Sequence, residues 1–258
     1  MSGTPSRAVD VLRFSVGTLT AIPVRPPSSV EREVTRPAMV LAPLAVLPLG
    51  ALVTAILWAG RELELAPVAV AATAVAALAL ASRAFHLDGL ADTADGLTCS
   101  YDAERSLQVM LRGDAGPAGA SALVLVLGIQ IGALTSIQHS AWGPLLAGTL
   151  VCVSRGAAVV MSLRGVKPAR QSGLASSYVD SMSPWTAAAS WLLLTGLVAG
   201  VFVLDDQPWW RALVCSAVAL VAIGWLIRRA TRRLGGVAGD VYGASIEVSL
   251  AVMLLAAS

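Results

Sequence analysis

The run Phe85-His86-Leu87-Asp88-Gly89-Leu90-Ala91-Asp92-Thr93-Ala94-Asp95-Gly96 sets three carboxylates within eight residues, between long apolar stretches. In an α-helix, positions i, i+4 and i+7 share a face, so Asp88, Asp92 and Asp95 are expected to project together. Three like charges side by side repel, and a divalent cation or cationic groups would relieve that repulsion. Phosphoryl transfer from a diphosphate needs such an arrangement, because Mg²⁺ held by carboxylates bridges phosphate oxygens and stabilises the leaving group. Positioning and electrostatics then supply most of the catalysis. His86, beside the first carboxylate, is a candidate to position a phosphate or to accept a proton.

Other polar residues sit where an apolar chain would not tolerate them without reason. Arg155, in Val153-Ser154-Arg155-Gly156, falls inside an apolar stretch, and a charge within a membrane span marks a functional candidate. Its structural alternative is an arginine snorkelling to the interface. Asp240 and Glu247, in Gly239-Asp240-Val241-Tyr242-Gly243-Ala244-Ser245-Ile246-Glu247, are seven residues apart. On a helix they share a face, with Glu247 about 10 Å further along the axis. In Arg112-Gly113-Asp114-Ala115-Gly116-Pro117-Ala118-Gly119, Arg112 could hold a phosphate oxygen, and Gly116 and Gly119 could let backbone amides approach an anion. Gly89 and Gly96 interrupt the aspartate run in the same way.

The rest of the chain must position these groups from within a membrane. Its 258 residues are 56% hydrophobic and 13% charged, with a mean hydropathy of +0.75, about half the charge of an ordinary soluble domain. A net charge of +2, dispersed along the chain, excludes a nucleic-acid-binding surface. Cys99, Cys152 and Cys215 are too few and too far apart for a disulfide framework or a zinc site. Seven apolar stretches, at 38–60, 65–83, 117–138, 142–163, 186–204, 209–227 and 241–258, can each cross a bilayer as a helix. The fold class expected is therefore all-α: a polytopic bundle of about seven transmembrane helices. Before it, Val9, Leu12, Val16 and Leu19 stand at helical spacing with Arg7 and Arg13, which predicts an amphipathic helix on the membrane surface over 7–20. One integral membrane domain spans 1–258, with 84–116 its Asp-rich active-site segment.

Basic residues alternate with the spans. Arg7, Arg13, Arg25, Arg32 and Arg36 precede the first; Arg83, Arg105 and Arg112 follow the second; Arg164, Lys167 and Arg170 follow the fourth; Arg228, Arg229, Arg232 and Arg233 follow the sixth. Only Arg61 and Arg211 fall on the other side. The positive-inside rule then puts the N-terminus and the aspartate segment in the cytoplasm, in a multi-pass protein of the cytoplasmic (inner) membrane.

The block Phe-His-Leu-Asp-Gly-Leu-Ala-Asp-Thr-Ala-Asp-Gly at 85–96 resembles the signature of the cobalamin synthase family, the adenosylcobinamide-GDP ribazoletransferases. Further blocks resemble that family along the chain: Thr20-Ala21-Ile22-Pro23-Val24, Pro43-Leu44 with Leu49-Gly50, Val153-Ser154-Arg155-Gly156, and Gly239-Asp240 through Glu247. Ala21 replaces the family's usual arginine, Val46 a frequent glycine, and the Arg112 segment shifts Asp114 by two positions against the glycines. The resemblance implies a late step of cobalamin biosynthesis, the assembly of the nucleotide loop. The ribose 3′-hydroxyl of α-ribazole, or of its 5′-phosphate, attacks adenosylcobinamide-GDP and releases GMP. It further implies Mg²⁺ on Asp88, Asp92 and Asp95, diphosphate contacts from Arg155 and Arg112, and Asp240 with Glu247 completing the metal or ribazole side. His86 or a carboxylate would take the proton. The partners are then the two substrates and membrane lipid, with a homo-oligomer or other cobalamin-pathway enzymes as further candidates.

Three rivals share the physics. A CDP-alcohol phosphotransferase would show Asp-Gly-x-x-Ala-Arg, which is missing; a membrane prenyltransferase would need a better second Asp-rich motif than 240–247. An ion-coupled transporter would place its carboxylates near the bilayer midplane, on broken helices.

Overall fold

A run of Ala, Val, Leu and Gly can satisfy its backbone inside a bilayer only as a helix, and helices account for the architecture. In the computed structural model, which describes residues 6–170 and 173–258, there is no strand among the described residues, only bridges pairing Leu163 with Met182 and Pro168 with Val237. In chain order the helices are α1 (Arg7–Leu19), α2 (Arg32–Ala45), α3 (Leu47–Glu62), α4 (Pro67–Ala81), α5 (Phe85–Cys99) and α6 (Ala103–Val109). They continue with α7 (Pro117–Ile137), α8 (Gly143–Ser154), α9 (Ala157–Met161), α10 (Pro184–Leu204), α11 (Arg211–Leu234) and α12 (Gly239–Ala257). Prolines set several boundaries: Pro67, Pro117 and Pro184 each open a helix, where their missing N–H costs nothing.

Six segments are long and apolar enough to cross a membrane: α2 with α3, α7, α8 with α9, α10, α11 and α12. α4 qualifies only together with α5, from which it is bent by 92°. The bend is made by Arg83 and Ala84, both left-handed at φ 58° and 53°, a conformation that costs a residue with a Cβ about 1–2 kcal/mol. α5 thus turns away from the direction of α4, outside the six segments that qualify alone, and packs against α7 and α12.

Two departures from the sequence expectation are informative. The arginines expected in a loop after the sixth span belong to α11, which runs to Leu234 and stops at Gly235 in the left-handed conformation (φ 77°). Arginine is a good helix former, and cations in the last turn complement the carbonyl ends. In α1 the buried face is Val11, Phe14 and Ser15 against α2, leaving Val9 and Leu12 of the expected stripe exposed. Packing onto the bundle claims one apolar face, and the other remains exposed.

One end of the bundle gathers α1, α5, α6, the starts of α2, α7 and α12, and the 162–183 connection. Thr35 on α2 donates to the Ser177 carbonyl, Arg170 to that of Leu107, and Arg233 at the end of α11 to that of Ser100. At the opposite end, Arg61 donates to the Ser140 carbonyl (2.8 Å) and Arg211 to that of Ala257 (3.0 Å). α12 is the central element, packed against α5, α7, α8, α9 and α11. Its Gly243, Ala244, Ser245 and Ser249 are small enough to let other helices close in.

Candidate active site

The sequence expects Asp88, Asp92 and Asp95 on one helix, and α5 carries all three. What brings them to a partner is a close crossing. A Cβ on Gly89 would stand 2.7 Å from the Asp240 carbonyl oxygen, and one on Gly243 would stand 3.1 Å from the His86 Cα. Glycine at both positions lets α5 rest directly on the first turns of α12. Asp240, from the far end of the chain, thereby joins the aspartate helix.

The carboxylates then divide by role. Asp88 is exposed, whereas Asp92 is 9% exposed. The Asp92 carboxyl is pushed up to about 6, by burial first and then by the charges of Asp88, Asp240, Asp95 and Asp114. Five carboxylates of three segments therefore share one field. Asp95 is otherwise occupied: its oxygens accept the backbone N–H groups of Gly116 (2.7 Å) and Gly119 (2.9 Å), the open amides at the start of α7. Gly116 and Gly119 are there because a Cβ would strike that carboxylate, at 2.6 and 2.4 Å, and Gly96 because a Cβ would strike Met110, at 2.4 Å. Gly116 and Gly119 thus bring their amides to an anion of the protein itself, the Asp95 carboxylate, while Gly96 makes room for Met110.

A second polar layer lies deeper. Glu247, 4% exposed, accepts from the Gln130 amide (2.9 Å), and its other oxygen stands 4.0 Å from His86 Nδ1. Arg155 is fully buried, donating one nitrogen to the Val151 carbonyl and the Ser154 hydroxyl, both at 2.9 Å. It follows the last turn of α8 and turns back over the carbonyls that turn leaves open. The guanidinium expected on a diphosphate is therefore behind the site, within electrostatic reach of Glu247. Among the described residues, neither nitrogen of His86, and neither Nε nor Nη2 of Arg155, has a hydrogen-bond partner. Arg112 lies exposed in the connection before α7.

Beside Asp240 opens a cavity of about 250 Å³ whose walls include Phe85, His86, Arg170, Tyr178 and Tyr242. The two tyrosine rings meet edge to face, 4.9 Å apart, and the Tyr242 hydroxyl is 3.0 Å from that of Ser162. Arg170, Gln130, Tyr178 and Tyr242 are the site residues that the sequence reading misses. Gln130 had a signal, an amide in the middle of the apolar stretch 117–138; Arg170 had none, because only the fold brings it to Asp240.

Among the described residues, no three His, Cys, Asp or Glu side chains stand close enough to enclose a metal. Asp88, Asp92 and Asp240 form an open rim. Such a rim suits Mg²⁺, which keeps waters and takes one or two carboxylates plus phosphate oxygens from a substrate. Burial of Asp92, an arginine opposite Asp240 and an adjoining aromatic cavity together suit a phosphorylated ligand with a planar group.

Comparison with known proteins gives this site a family. A curated relative from a Nocardioides species, named adenosylcobinamide-GDP ribazoletransferase, is 49% identical over 96% of this chain and 97% of its own. Relatives of the same name from Frankia casuarinae and Corynebacterium efficiens are 33% and 30% identical, covering 92% and 91% of this chain and 90% and 86% of theirs. No solved structure matches. The family model described as cobalamin-5-phosphate synthase matches residues 11–258, and the chain belongs to that family.

Proposed function

We propose that this chain joins adenosylcobinamide-GDP to α-ribazole or its 5′-phosphate, giving adenosylcobalamin or its phosphate and GMP. The ribose 3′-oxygen forms a bond to the phosphorus attached to cobinamide, the bond from that phosphorus to the oxygen bridging to GMP breaks, and the hydroxyl proton passes to a base. Family membership supports the reaction. The observation that carries the site is the crossing of α5 and α12, which sets Asp88 and Asp92 beside Asp240.

In this reading Asp92 and Asp240 would hold Mg²⁺, with Asp88 beside them on the rim. The ion, when bound, neutralises charge developing on the phosphate oxygens and on the leaving GMP. Arg170 and Arg112 are the cations placed to contact the diphosphate, since Arg155 is enclosed. Asp95 fixes the start of α7 and so the segment that bears Arg112 and Asp114. Glu247, Gln130, His86 and Arg155 support α5 and α12 from beneath, keeping the rim in register. The basic end of the bundle is the cytoplasmic one, as the excess of arginine there favours.

The test is GMP release by the purified protein in lipid nanodiscs, supplied with adenosylcobinamide-GDP, α-ribazole and MgCl₂. Turnover by the parent and a loss of roughly 100-fold or more in Asp92→Asn are expected, since a metal supplies several kcal/mol to such a transition state. Near-parental turnover in Asp92→Asn would contradict the site.

A further inference from the structure

Two cavities that the reaction does not use lie along α2. The first, about 770 Å³, is at the basic end, among Arg7, Arg32, Arg36, Arg164 and Asp180. The second, about 740 Å³, is apolar and runs between α2, α3, α8 and α10, with Leu44, Leu47, Leu193 and Leu197 in its walls. Val40 and Leu41 line both, so the two spaces adjoin. None of the carboxylates of the active site lines either one.

Charge and depth change together along this path. Arg32, Arg36, Val40 and Leu44 stand at i, i+4, i+8 and i+12 on α2, one face that begins basic and becomes apolar. In the basic cavity Arg7 is paired with Glu33, and Asp180 accepts the Gly165 N–H (2.7 Å). Among the described residues, the side chains of Arg32, Arg36 and Arg164 have no hydrogen-bond or ion-pair partner. Lower down, Leu44, Leu47, Leu193 and Leu197 are each more than half exposed, on helices that cross the membrane. A free phosphate or nucleotide would satisfy the arginines but leave the leucine-lined groove empty. A neutral lipid would fill the groove and leave three cations unpaired.

We infer that this face holds one anionic phospholipid, its phosphate on Arg32, Arg36 and Arg164 and an acyl chain along the groove below Val40 and Leu41. Basic pockets between helices at the cytoplasmic side of a membrane take such headgroups. Bound there, the lipid bridges α2, α10 and the 162–183 connection, and so stabilises the folded chain.

Native mass spectrometry of the delipidated full chain, titrated with phosphatidylglycerol or phosphatidylcholine, tests this. The parent should retain one phosphatidylglycerol in clear preference to phosphatidylcholine. At about 1 kcal/mol for each arginine, the double variant Arg36→Gln/Arg164→Gln should bind it roughly 30-fold more weakly. If that variant fails to fold, Leu197→Trp, which fills the groove and keeps the arginines, should also lose the lipid. Millimolar inorganic phosphate should not displace it. Equal retention of the two lipids, unchanged retention in the folded variants, or displacement by phosphate would each overturn the inference.

Discussion

Asp92 and Asp95, three residues apart on one helix, illustrate how surroundings assign different work to the same side chain. Asp92 sits among like charges with its carboxyl raised to about 6, whereas Asp95 is tied by two amides. The sign of the resulting pH dependence follows directly. A raised carboxyl favours the metal-free folded chain fully below the unfolded value of 3.8, and that contribution is lost as pH rises through about 6. Mg²⁺ needs the ionised form, so its affinity should weaken about tenfold per pH unit below 6; titrations at pH 7.5 and 5 check this. Asp95→Ala should instead act on stability, leaving the amides of Gly116 and Gly119 without their acceptor at a cost of about 1–3 kcal/mol. A lowered melting temperature should reveal it. The aspartate pattern is legible in sequence because a spacing of 4 and 3 fixes a helix face; that one carboxylate serves α7 depends on where a distant loop returns.

The element that makes the site is α5, and what makes α5 distinct is the turn before it. Arg83 and Ala84 both adopt the left-handed conformation to produce the 92° bend. Ala84→Gly removes the steric cost at one of them and should stabilise the fold by about 1 kcal/mol or less, because glycine gives back part of the gain as chain entropy. Thermal unfolding of the purified variant measures it. The sequence marks the apolar stretches and nearly their ends, since charge and proline bound them. It does not mark this bend, which lies in Ser82-Arg83-Ala84 without a glycine or proline. Nor does it separate Asp240 from Glu247. Seven residues put them on one face, but α5 crosses near the first, so Asp240 meets the rim while Glu247 meets His86 and Gln130 beneath.

At the scale of the whole molecule, the spanning helices carry residues from the beginning, middle and end of the chain to one end of the bundle. In the proposed orientation this basic end faces the cytoplasm, and Cys99, the exposed cysteine at the foot of α5, tests that proposal. A membrane-impermeant maleimide should label Cys99 in inverted vesicles and not in intact cells. The central claim is that carboxylates of α5 and α12, separated by about half the sequence, act on one ion. Electron paramagnetic resonance of Mn²⁺ added in place of Mg²⁺ tests it most directly, using purified parent, Asp92→Asn, Asp240→Asn and Asp95→Asn proteins. The account predicts that Asp92→Asn and Asp240→Asn each weaken Mn²⁺ binding at least tenfold, while folded Asp95→Asn binds nearly as the parent does. Parental Mn²⁺ affinity in Asp240→Asn would contradict it.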